Sequence, residues 1–450
     1  MALTKAHNRM ITGSMVNALD YMTQAQIADV TSGTGSVDVA AALNAALDAS
    51  FNSGNGAGIF LPEGKYLINS DVNVDRGMHL FGEGYGTQIV GTGGGIVLNN
   101  ALVNSNTYAG LHDLRISRTD SGTALTIDGS AADGVTRYIV EQVYIIRIDG
   151  KSGTAVSING SWNVDFFHLM VSGWDVGLNI FRDNLADEAS GANGIHFFGG
   201  QIEGNNTGVI ISGALTAGFY GTVLEANSTI NVDVDAAKSV IFDSIYCEAN
   251  GTANIRIGNT NAVKNCVVRG GYFNTPAVGG LANSILAENV QALRVETSYF
   301  ARFTGAPIKV GAGSTGAALD CEKDSAISIP MVDVTTNSAD RFRYLNAYPA
   351  AMESELTIAS GAITPTASYH TVDTEGDAAS DDLDTINGGC RGEVLTLVAA
   401  SGSRTVNVTN AGNINVPTAG IALVGADKVA QFIYREGTAK WELLSFQDNT

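Results

Sequence analysis

Three five-residue segments share one pattern: Glu203-Gly204-Asn205-Asn206-Thr207, Glu225-Ala226-Asn227-Ser228-Thr229 and Glu248-Ala249-Asn250-Gly251-Thr252. They are separated by 22 and 23 residues, and each follows a short apolar segment and precedes an apolar alternation. A pentapeptide returning at this period points to a solenoid, in which each stretch of chain stacks on its counterpart one coil away. The three glutamates then stand one above another on one face.

Aligning the apolar segments ahead of each glutamate extends the count. Val143-Tyr-Ile-Ile146 places Arg147 at the ladder position, and Leu169-Met-Val171 places Ser172 there. Further on, Tyr272-Phe273 and Tyr299-Phe300 place Asn274 and Ala301. The intervals are 25, 31, 22, 23, 26 and 27 residues, and the longest contains a polar insertion, residues 182–193. Coils of this length with three short strands each suit a parallel β-helix. The 53 glycines and the low share of charged residues, 16%, agree with many short strands joined by tight turns.

Ahead of the repeats, Asp38–Ala49 reads as a helix. Asp38 caps it, and Val39, Ala42, Leu43, Ala46 and Leu47 form one apolar stripe suited to covering an open end. Strand and turn signals follow at once in Gly58-Ile-Phe-Leu-Pro62 and Lys65-Tyr-Leu-Ile68. The pattern fades around 330–384, where Glu353 to Asp384 holds eight acidic residues and no Lys or Arg. Beyond it Glu393–Val398, Arg404–Thr409 and Val429–Tyr434 alternate strongly. The expected organisation is an N-terminal leader or attachment segment (1–30), a parallel β-helix (31–349) and a C-terminal antiparallel, sandwich-like β-domain (350–450).

The formal net charge of −20, without a basic stripe, argues against nucleic acid and anionic membranes as partners. No run reaches the roughly 18 apolar residues of a membrane span. The N-terminus has no apolar core of a signal peptide, so the chain is expected to be made in a cytoplasm without secretion by that route. Cys247, Cys266, Cys321 and Cys390 are widely spaced and read as small buried hydrophobes. The scattered histidines support no metal site, and no cofactor is expected. Gly311-Ala-Gly-Ser-Thr-Gly316 matches a dinucleotide fingerprint, but no adequate helix follows before Pro330, so it reads as a turn.

The segment Asp38–Asp48, then Gly58-Ile-Phe-Leu-Pro-Glu-Gly-Lys-Tyr-Leu-Ile68, then Leu80-Phe-Gly-Glu-Gly-Tyr-Gly-Thr-Gln-Ile89, resembles the start of the pectate-lyase-like β-helices of bacteriophage tailspikes and polysaccharide depolymerases. Asn8–Ile11 and Val16–Tyr21 are similar to the short leader before such domains, and Leu383–Leu444 to C-terminal β-modules of phage tail proteins. The resemblance implies a right-handed β-helix, a homotrimer and a place in the virion tail, with the N-terminal segment on tail or baseplate proteins. It also implies recognition, and often cleavage, of a bacterial capsular or exopolysaccharide.

The residues themselves offer matching chemistry. Ladder neighbours on adjacent strands lie roughly 5 Å apart, and alternate ones roughly 10 Å. Retaining glycosidases need carboxyl groups about 5–5.5 Å apart and inverting ones about 6.5–9.5 Å. Glu203, Glu225 and Glu248 are therefore candidates for acid, base or nucleophile, with Asp243 as a further acid. Stacked like charges raise at least one pKa, which suits a general acid. A purely structural turn, with Asn on Asn and Glu toward water, is the competing explanation. Trp174, Tyr246 and Tyr272 are candidate sugar platforms, with Trp174 expected to be exposed and the tyrosines either exposed or packed inside. Arg147 and Arg269 are candidates for binding an acidic sugar or only for neutralising the acidic row, and Asn227 is a further candidate for substrate binding. A lyase using a basic residue beside Ca²⁺ ranks below hydrolysis, because few Lys or Arg lie near the row.

Overall fold

Apolar residues recur at alternate positions of short strands, and this is what closes the chain into stacked coils. The computed structural model describes residues 15–51, 58–75, 77–99, 108–129, 137–182, 191–249, 251–275, 283–311, 314, 318–323, 332–334, 343–344, 355–365, 368–389, 393–425, 427–435 and 437–448. It is an all-β chain whose first unit is a parallel β-solenoid of about eleven coils. Most coils place two strands in one large parallel sheet and a third in an eleven-stranded parallel sheet.

Two interior columns carry the register. In the large sheet Ile59, Leu80, Leu111, Val140, Phe166, Phe197, Phe219, Phe242, Val268 and Val295 pair in succession. All ten are buried, and the phenylalanines stack face on face, with centroids 4.4 Å apart for Phe166–Phe197 and 4.6 Å for Phe197–Phe219. In the second sheet Leu125, Val156, Leu178, Val209, Val232 and Ile255 do the same with aliphatic side chains.

The repeated Asn is the third column. Asn227 donates from Nδ2 to the Ile202 carbonyl (3.0 Å) and to Asn231 Oδ1 (2.7 Å). Its Oδ1 accepts from the backbone N–H and the Nδ2 of Asn205, both at 3.0 Å. Asn231 continues to Asn254, and Asn254 to Ser284 Oγ. The turn that aims these amides inward needs a left-handed residue after the glutamate, met by Gly204 (φ 64°) and Ala226 (φ 54°). Asn227→Ala leaves several buried partners unsatisfied and is expected to destabilise the protein by about 2–3 kcal/mol. The shift of the denaturant midpoint measures it, and an unchanged midpoint would show the ladder to be dispensable. Asn227 is thus a structural residue with no exposed surface, which corrects its assignment to sugar binding. Asn250 lies outside the described residues.

The helix begins two residues later than its sequence predicts and spans Ala40–Phe51, with Val39, Leu43, Ala46 and Leu47 buried against the first coil. Asp38 Oδ1 accepts from the Ala40 N–H and from the Asn69 N–H, so it ties the helix start to a neighbouring turn. Within the expected leader, residues from Val16 onward are built into the solenoid. Val16 and Asn17 pair with Ile59 and Phe60, and the helix Gln24–Thr31 packs on the strand Gly64–Ile68. Residues 1–14 lie outside the described residues, as do 183–190 of the polar insertion, 345–354 around the expected boundary, Cys390, and most of the Gly311–Gly316 motif.

The second unit comprises Thr315–Asp320 and Asn337–Thr450. Its sheets are mixed. Tyr369–Asp373 runs parallel to Val394–Ala399, which runs antiparallel to Lys428–Arg435, and that strand is antiparallel to Lys440–Asp448. The strong alternation reports one buried face per strand but not strand direction, so the parallel pairs are invisible in it. Leu395, Leu397, Phe432 and Trp441 are buried in its core, and the Trp441 indole donates to the Ile386 carbonyl.

Candidate functional site

The strands Gln201–Glu203, Val223–Asn227 and Tyr246–Ala249 stack in parallel and pair Glu203 with Glu225, and Glu225 with Glu248. Ser172 precedes the row and Asn274 follows it. Residues two positions earlier share the outward face: Gln201, Val223, Tyr246, Tyr272 and Tyr299. Gln201 Nε2 donates to Glu203 Oε2 at 2.7 Å and to Glu225 Oε1 at 2.9 Å, so both carboxylates lie within reach of one nitrogen. Tyr246 donates its hydroxyl to Glu248 Oε2 (2.7 Å), and Asn274 Nδ2 adds a longer bond to the same oxygen (3.3 Å). Tyr246, Tyr272 and Tyr299 stack at 5.6 Å between successive centroids, and Tyr272 is 42% exposed. The tyrosine column is therefore a surface platform beside the carboxylates.

The electrostatics separate the acids. Partial burial and then the charge of Glu225 push the Glu203 carboxyl above the ordinary range. The bond to Glu248, with burial, pushes the Tyr246 phenol up to about 12, so Tyr246 remains a donor at neutral pH. The folded protein holds the Glu203 proton more tightly than the unfolded chain. Stability from this group therefore falls as pH rises through the interval between those two values and stays lowered above it. Glu203→Gln is expected to melt with the wild type near about pH 3, where both are uncharged. At about pH 7 it should be more stable by about 0.2–1 kcal/mol, the scale of a cross-strand like-charge pair. Thermal melts at the two pH values test this, and a less stable variant at neutral pH would contradict it.

The remaining candidates fall elsewhere. Asp243 is bound by the Arg269 guanidinium at 2.6 and 2.8 Å, which, with Ser244, holds its carboxyl below the usual range. Asp243 is thus ionised and poorly suited to donate a proton. The Arg269 charge is paired in the same contact. Arg147 is buried, not at the row: Ile146, one residue earlier, is the partner of Ser172. Its guanidinium bonds to the Gly150 and Asp120 carbonyls and to Asp149. Trp174, expected to be exposed, is fully buried. Its indole donates to the Ile145 carbonyl at 3.1 Å, and Arg147 lies over its ring. A large ring after a Ser-Gly turn packs against the preceding coil because burying it outweighs leaving it in water.

The sequence pattern does not single out Gln201, although its position two residues before Glu203 places it on the same face. A second outward aromatic run, Phe167–Phe198–Tyr220, stacks at 5.1 and 5.2 Å on the neighbouring strands of these coils.

Residues 30–128 match the family model described as rhamnogalacturonase A/epimerase, pectate lyase-like. No curated protein matches the sequence. Among solved structures, ORF18 of Geobacillus virus E2 is 12% identical with a TM-score of 0.53, covering 98% of this chain and 77% of that one. DFA-IIIase from Arthrobacter chlorophenolicus A6, without its lid and in complex with GF2, is 11% identical with a TM-score of 0.54, covering 73% and 94%. At these identities the likeness is one of fold, a parallel β-solenoid, and the pectate-lyase-like match is confined to residues 30–128.

Proposed function

We propose that the protein is a bacteriophage tailspike that binds a bacterial capsular or exopolysaccharide and depolymerises it by retaining glycoside hydrolysis. The observation that carries this reading is the pair of carboxylates, Glu203 and Glu225, one strand apart and sharing one amide donor. A separation of roughly 5 Å suits a retaining pair. Glu203, with its raised pKa, protonates the glycosidic oxygen as the bond to the anomeric carbon breaks. The Glu225 carboxylate attacks that carbon and forms a glycosyl ester. Glu203, now a carboxylate, takes a proton from the water that displaces the ester, which restores both groups. Tyr272 and its neighbours supply an apolar face for a sugar ring, and Glu248 with Tyr246 and Asn274 anchors hydroxyls. The likeness in fold to a protein of Geobacillus virus E2, over 98% of this chain and 77% of that one, supports the virion assignment. Trimerisation and attachment through the N-terminal segment belong to the same reading.

Incubating the protein with host polysaccharide is the test. New reducing ends without ultraviolet absorbance of an unsaturated uronate are expected. That absorbance would replace the hydrolase with a lyase. A second reading, a receptor-binding protein without catalysis, draws on the same hydrogen bonds, because Gln201 and Tyr246 satisfy the carboxylates within the protein. Intact polymer that stays bound is its result.

A further inference from the structure

A separate pocket of about 250 Å³ opens on the outward face, lined by Tyr108, Arg137, Asn163, Asp165 and His196. We propose that it is a subsite for one carboxylate-bearing sugar unit, an assignment that rests on reading this face as glycan-binding.

All five lining residues are polar or charged, and the volume lies below the ~300–1,000 Å³ of pockets for drug-sized ligands. A single hydroxylated ring fits both facts. The charge points to an acid. The protein carries −20 overall, so an anionic sugar needs a local cation whose charge is not already matched. Three solenoid arginines are matched, Arg269 by Asp243, Arg294 by Glu296 and Arg256 by Asp233, whereas Arg115 is stacked on Tyr85 away from this pocket. Arg137 has no carboxylate partner among the described residues. Its guanidinium lies over the Tyr108 ring at 5.7 Å, and Tyr108 is 41% exposed. A stacked guanidinium keeps its in-plane N–H groups for a carboxylate, which it grips with two parallel bonds.

The other acid in the pocket is already held. Asp165 Oδ1 lies 3.0 Å from His196 Nδ1. In the neutral ring this bond makes Nδ1 the donor and leaves Nε2 as an acceptor for a sugar hydroxyl. Asn163 adopts a left-handed backbone (φ 57°), and its partner position one coil on is Gly194 (φ 68°). A Cβ at Gly194 would meet Asn163 Oδ1 at 3.1 Å, so glycine leaves the Asn163 amide uncrowded. The His196 ring lies 6.0 Å from Phe198 and 6.3 Å from Tyr220, and Phe198 is followed within the same coil by Gln201 and Glu203. A polymer crossing the carboxylate row along this aromatic run reaches the pocket with another of its units.

Ligand-observed NMR on the full chain tests the assignment, using D-glucuronate, D-galacturonate and D-mannuronate, each against its neutral sugar. At least one acid is expected to bind five-fold or more tightly than its neutral counterpart. Arg137→Gln should abolish that preference, Arg137→Lys should keep part of it, and Glu203→Gln should leave it intact. Equal binding of acids and neutral sugars would overturn the proposal. So would a preference that survives Arg137→Gln, or one lost in Glu203→Gln. A protein that prefers uronates yet cleaves no polymer would keep this subsite and lose the hydrolase.

Discussion

Glu203→Gln is expected to slow polysaccharide cleavage by about 10²–10⁴-fold, the usual contribution of a positioned general acid. Glutamine keeps the size of the side chain and an oxygen for the Gln201 amide, so the loss reports the missing proton and not a rearranged turn. Glu225→Gln should be at least as damaging, because an amide cannot form the glycosyl ester. Glu248→Gln should be milder, since Glu248 accepts from Tyr246 and Asn274 one coil farther on and is not bridged by Gln201. Reducing-end kinetics on host polysaccharide measure all three, and the anomeric configuration of the first product, followed by NMR, should be retained. Full activity in both Glu203→Gln and Glu225→Gln would remove the site. The expected gain in stability of Glu203→Gln at neutral pH makes the two outcomes independent: a folded, more stable and inactive protein is what a functional like-charge pair produces.

Phe219→Ala is expected to destabilise the solenoid by about 3–5 kcal/mol, the range for deleting a buried aromatic ring. Phe219 is fully buried between Phe197 at 4.6 Å and Phe242 at 5.3 Å, in the coil that carries Glu225. A stacked coil contacts only its neighbours, so the cavity cannot be filled by distant rearrangement. Denaturant unfolding gives the magnitude. Hydrogen exchange should place the lost protection in the strands around residues 195–243 first. Uniform loss along the solenoid would instead mean that the coils unfold as one unit. Loosening these coils also loosens the spacing of Glu203 and Glu225, so cleavage should fall well below the melting temperature.

Much of the fold and part of the site are legible in the residues alone. The period of the Glu-x-Asn-x-Thr turn marks the coil, and the pairing of Glu203, Glu225 and Glu248 follows from the shared strand register. The mismatches have one source. A period says where a coil ends but not which way a side chain faces when the coil changes length. Alignment by apolar segments places Arg147 one residue late, at the longer coils before the row, and the ring of Trp174 turns inward. Asn227 shares the repeat with Glu225, yet the left-handed Ala226 between them sends the two side chains to opposite sides of the wall.

The repeat by itself determined the solenoid, its register and the row of three carboxylates, because parallel stacking maps equal positions in successive coils onto one line. Only the tertiary structure decided how those carboxylates differ. Gln201 bridges one pair, Tyr246 takes the third, and burial beside Glu225 raises Glu203, all of which depend on side-chain direction and water access. The pocket is of the same kind. Tyr108, Arg137, Asp165 and His196 are spread over almost ninety residues and repeat no motif, and they meet because four successive coils lay unlike residues side by side.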